Sequence, residues 1–138
     1  MAHFYEKDGI LRVDFYRGDT GNFMMDRFRE EIDGADVPVN LIGMYSEIRW
    51  QVKEFPGAKE FQLEKTLSDE GIQIVDDSDG NEGAALQFII SAEETAELGS
   101  GNYVADLEFT LLDGMIQTAK TVTSDRIWKI VNKQDVTV

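Results

Sequence analysis

The chain has no cysteine and only one histidine, two prolines and two tryptophans in 138 residues. Without cysteine there is no disulfide framework, thiolate metal site or cysteine nucleophile. The single histidine, His3, sits at the extreme N-terminus, a poor place for a base that neighbours must hold in position. No phosphate-cradling glycine loop or nucleophile elbow occurs. The 27 acidic residues offer many carboxylate pairs and single out none, so a glycosidase-like pair has no specific candidate. The expectation is a protein that is not an enzyme and uses no cofactor.

Long hydrophobic runs are also missing. Met1 to Asp8 holds neither a basic nor an apolar leader segment, and no stretch approaches the length of a membrane span. Basic residues are absent over a long interval: between Lys65 and Lys120 there is no Lys or Arg, while twelve Asp and Glu fall there. With a net charge of −14, the chain is a poor partner for nucleic acid, whose phosphates require clustered cations. Such acidity suits a solvated surface, or a face awaiting a basic protein.

What is present is alternation. Hydrophobic residues make up 42% of the chain, enough for one domain over residues 1–138 with a real core. Ile48, Trp50 and Val52 fall on one face of a strand and Glu47, Arg49, Gln51 and Lys53 on the other. Tyr103, Ala105, Leu107, Phe109 and Leu111 repeat the pattern. Further runs begin at Ile10, Asn22, Phe61, Gly71, Leu86, Met115 and Arg126. The segment from Met25 to Ile32 reads as a strand or, equally, as a helix. Asp113-Gly114 reads as a hairpin turn into Met115–Thr123, and Arg126–Val131 as a strand, with Lys129 guarding an edge. Val136–Val138 reads as a short strand or a frayed end. Ser91 to Leu98 reads as a short helical turn. The fold class is all-β, with the pattern of a sandwich or barrel of about seven to nine strands.

Three motifs invite functional readings. Asp77-Ser78-Asp79-Gly80-Asn81-Glu82 opens like an EF-hand loop, but Glu82 stands where glycine is needed and Phe88 where the closing glutamate belongs. A polar turn over Asp76–Gly83 is the better reading, and its cation binding stays open. Arg17-Gly18-Asp19 reads as a strand-ending turn rather than an integrin ligand. Trp50 belongs to the core by its phase; Trp128 shares a face with Ile130, has apolar neighbours on the other, and is left undecided. If Trp128 is exposed, a sugar-binding aromatic platform is the alternative function.

The pattern resembles the N-terminal β-sandwich domains of phage and prophage baseplate or tail proteins, of the baseplate upper protein type. The resemblance spans about residues 10–123 and is carried by Arg17-Gly18-Asp19-Thr20, Ile48–Lys53, Gly71–Ile74, Leu86–Leu98 and Gly101–Phe109. The last two segments are the distinctive ones. It implies an immunoglobulin-like sandwich that joins virion parts, made in the bacterial cytoplasm, with no catalytic residues to carry over. Without a long C-terminal extension, the expectation is a stand-alone connector or adaptor. Its partners would be other tail proteins or itself, as a homo-oligomer, with no nucleic acid and no membrane. Candidate interface residues are Tyr16, Glu93, Glu94, Glu97 and Trp128.

Overall fold

A computed structural model describes residues 2–113, 116–118 and 128–133. Twelve strands and one helix follow in order: β1 (His3–Lys7), β2 (Ile10–Tyr16), β3 (Phe23–Met25), β4 (Arg29–Ile32), β5 (Ala35–Pro38), β6 (Tyr45–Lys53), β7 (Leu63–Thr66), β8 (Ile72–Val75), β9 (Ala85–Phe88), α1 (Ala92–Leu98), β10 (Gly101–Leu111), β11 (Ile116–Thr118) and β12 (Trp128–Lys133). Seven strands form one sheet in the order β1-β2-β12-β10-β6-β7, with β11 pairing β10. A smaller sheet, β3-β9-β8, faces it, and β4-β5 is a separate hairpin. The fold is an all-β sandwich, immunoglobulin-like in closing two sheets over one core.

Alternation along each strand decides what enters that core. From the large sheet come Val13, Phe15, Ile48, Trp50, Val52, Leu107, Trp128 and Ile130, and from the small sheet Phe23, Ile72, Leu86 and Phe88. Phe23 stacks on Phe88 at 4.5 Å, and both lie against Trp50 and Trp128, so four aromatic rings tie the sheets together. Rings at such separations contribute beyond their burial, by about 1 kcal/mol per pair.

Four findings depart from the sequence reading. His3 opens β1 and stacks on Tyr5 at 4.5 Å, because Asp8 and Gly9 both take the positive φ of a tight hairpin turn joining β1 to β2. The run from Asn22 to Glu31 is extended but not one strand. Arg27 enters the left-handed region at φ 59° and breaks it, so β3 joins the small sheet while β4 pairs β5 through Asp33-Gly34. Phe61 is exposed and precedes its strand instead of packing. Lastly, β12 is no edge: it lies between β2, to which it is parallel, and β10. Lys129 therefore protects no open edge. Ile116–Thr118 does pair antiparallel with β10, but Gly114, Met115, the segment 119–127 and Val136–Val138 lie outside the described residues. Among the described residues no helix is long and apolar enough to cross a membrane.

Candidate interaction surface

The chain crosses from the small sheet to the large one through β9, α1 and β10. Ser91 caps α1: its hydroxyl accepts from Glu94 N–H at 3.1 Å, while Glu94 Oε1 accepts from Ser91 N–H at 3.0 Å. This reciprocal pair satisfies two backbone donors that a helix start leaves open. Ser91→Ala is expected to cost about 1 kcal/mol and to lower the melting temperature by about 3 °C, measured by calorimetry.

Beyond its cap, the helix is pinned from several sides. Asn132 on β12 donates from Nδ2 to the carbonyls of Thr95 and Gly99, each at 2.8 Å. The Tyr103 hydroxyl donates toward the carbonyls of Leu98 and Gly99. Thr95, itself buried, accepts from Gly18 N–H at 3.0 Å and donates to the Asp19 carbonyl at 2.7 Å. Arg17 reaches the Ala96 carbonyl at 3.2 Å. The Arg17-Gly18-Asp19 turn is thus fastened down on α1. Together these polar groups hold α1 and that turn to the fold.

Tyr16, next to that turn, is 40% exposed and lies beneath the Lys133 ammonium, 5.6 Å from its ring centre. Lys133 also faces Asp14 at 3.4 Å, which with the nearby Tyr16 raises its pKa above the ordinary lysine value. Glu93 and Glu97 are exposed on α1, one turn apart. Glu94 is half-buried in the cap and bonded to Lys65 at 2.6 Å. The structure thus gathers Tyr16 and the three α1 glutamates at one end of the sandwich, of which Tyr16, Glu93 and Glu97 offer exposed surface.

Trp128 is not among them. It is 1% exposed, packed against Phe4, Trp50 and Phe88, and it corrects the expectation of a surface anchor. Its strand lies inside the sheet, so the face shared with Ile130 points into the core. Trp50 is fully buried as well, which leaves no tryptophan for a sugar platform. Sequence reasoning missed instead the exposed apolar side chains at both ends of β6: Ile42 and Met44 before it, Phe55 and Phe61 after it. Ile42, Met44 and Phe55 fall in connections where no alternation exists to read, while Phe61 is in phase with Leu63 and so reads as part of a strand that begins only at Leu63.

The Asp76–Gly83 turn resolves into a loop braced from within and by Asp26 and Arg29. Asp77 accepts from Asp79 N–H, Asn81 N–H and Asn81 Nδ2, and Arg29 stands 3.5 Å away. Asp26 accepts from Ser78, and Asp76 from Gly83. Its carboxylate oxygens face N–H donors and a guanidinium, an arrangement for a braced turn. No cluster of three His, Asp or Glu able to hold a metal occurs among the described residues.

Burial acts to raise the carboxyls of Asp26, Glu47, Asp69, Asp77 and Glu94. Hydrogen bonds from their neighbours, with cationic help at Asp26, Asp69, Asp77 and Glu94, outweigh it and hold all five below their ordinary values. The folded chain therefore favours their ionised forms. The resulting stability is complete above the ordinary carboxyl range, about pH 4 to 4.5, and drains as pH falls through the lower folded values. The melting temperature is expected to drop on acidification below that range. Asp77→Asn should lower the neutral-pH melting temperature and flatten the acid decline, read from melts across pH 2.5 to about 7.

No family model matches the chain, and no curated protein sequence matches it. Among solved structures, CopC from Methylosinus trichosporium OB3b is similar at 11% identity, covering 100% of this chain and 99% of that one, with a TM-score of 0.40. Murine CRIg is similar at 9% identity, with 98% of each chain covered and a TM-score of 0.36.

Proposed function

We propose that this chain is a non-catalytic structural component of a phage or prophage tail or baseplate, working through protein–protein interfaces. The observation that carries the reading is the placement of exposed apolar side chains. Ile42 and Met44 lie at one end of the long strand β6, and Phe55 and Phe61 at the other. A connector joins neighbours on two sides, and exposed apolar groups rimmed by charge are what interface centres are made of. Many polar side chains, meanwhile, brace turns and caps, as around Ser91, Thr95, Asp77 and Asn132. The two distinctive segments of the sequence resemblance form most of β9, α1 and most of β10, the crossover between sheets.

The test is genetic. Disrupting the coding sequence in the phage or prophage that carries it should leave heads intact and tails incomplete by electron microscopy. Supplying the chain in trans should restore them. Normal, infective particles without the chain would sink the proposal.

A further inference from the structure

Cations line up across the outer face of the seven-stranded sheet, against the overall acidity of the chain. Register sets Arg12 beside Lys129, Lys129 beside Val104, and Val104 beside Lys53. Their chain neighbours Val13, Ile130 and Val52 are buried, so alternation turns all three cations outward. Adjacent strands lie about 4.8 Å apart, which puts Arg12 and Lys129 side by side. Like charges so placed destabilise a sheet. Among the described residues none of the three has an ion-pair partner. Asp14, the next acid along β2, is engaged by Lys133 and by the Tyr5 hydroxyl.

Arg12 Nε is shielded from water and has no hydrogen-bond partner among the described residues. Arg12 and Lys129 border a groove of 370 Å³ with Val104 and Asn102, and among the described residues Glu54 is the one acid lining it. Fold stability does not account for this row.

The same chain carries the complementary feature. Glu93 and Glu97 are exposed one turn apart on α1, and neither has an ion-pair partner among the described residues. Like charges at this spacing also cost stability. The geometry points to a head-to-tail contact between two copies of this chain, in which Glu93 and Glu97 of one copy enter the groove and face Arg12 and Lys129 of the next. It rests on the assembly reading above and names the surfaces that make it. Because the two patches are different parts of one surface, the contact repeats from copy to copy and builds a ring or a filament. Each patch relieves the charge repulsion within the other.

Sedimentation velocity of the wild-type chain and four double variants tests it, over a wide concentration range at low and high salt. The wild type is expected to associate, more strongly at low salt. Arg12→Glu with Lys129→Glu, and Glu93→Lys with Glu97→Lys, should each weaken association about 100-fold or more. The neutral pairs Arg12→Gln with Lys129→Gln and Glu93→Gln with Glu97→Gln should weaken it too, with unchanged circular dichroism. The decisive arm mixes the two charge-reversed variants. The acidic α1 of the first faces the basic groove of the second, and the new lysines of the second face the new glutamates of the first, so both contacts are complementary in the mixture and association returns. A wild-type monomer throughout, variants that associate like wild type, or a mixture that stays monomeric would each overturn the contact. A monomeric chain that still enters tail particles sinks the contact alone; absence from particles sinks the assembly reading whatever the chain does by itself.

Discussion

Trp128→Ala is expected to destabilise the protein by about 3–5 kcal/mol, the loss typical of emptying a large aromatic site. Trp128 touches rings from both sheets, Phe4 on β1, Phe23 and Phe88 in the small sheet and Trp50 on β6, at 5.5 to 6.3 Å. Its removal opens a void where the sandwich is thickest, with little freedom for the surrounding strands to collapse into it. Such a loss is a large part of the stability of an ordinary domain, about 5–15 kcal/mol. Urea unfolding followed by circular dichroism measures it. A change under about 1 kcal/mol would mean that the side chain is at the surface after all. The result also bears on function, since a surface sugar-binding tryptophan would lose ligand while leaving the fold unharmed.

Asn132→Ala should cost about 2–4 kcal/mol, a second large effect with a different origin. Asn132 is buried, and its amide is the donor for two carbonyls of α1 and the turn that follows it. Alanine leaves the Thr95 and Gly99 carbonyls without that donor. The loss should be local as well as global. Amide exchange is expected to quicken first in α1 and in the Arg17–Asp19 turn that Thr95 holds, while the β6 and β10 amides keep their relative protection. Asn132→Asp should be worse, because a carboxylate would face two carbonyl oxygens. Uniform loss of protection across the sandwich would contradict the view that Asn132 chiefly anchors the helix.

How far these features were legible in the sequence depends on how local their causes are. The strands β6 and β10 were plain, because a half-buried strand repeats every second residue wherever it sits. The Ser91 and Glu94 spacing announces the start of α1 in the same local way. The β1 hairpin was equally local, with Asp8-Gly9 as its turn, and lay open to the same rule that read Asp113-Gly114. The break at Arg27 was not, since nothing in Arg27 itself requires a positive φ; the contacts of Asp26 with Ser78, far along the chain, hold that corner. Trp128 was undecidable because Ile127 and Val131 blur its phase, and only the position of β12 between β2 and β10 settles which face is buried. The basic row was beyond reach for a related reason. Arg12, Lys53 and Lys129 become neighbours through strand order alone, and strand order comes from long-range pairing.

A structural role requires that this sandwich be built into a particle. The most direct measurement is quantitative mass spectrometry of gradient-purified tail particles from the organism that encodes it. Peptides of this chain are expected at a fixed, integral ratio to a tail-tube or baseplate protein, unchanged by a high-salt wash. Their absence, or a ratio that varies from one preparation to the next, would contradict a structural role.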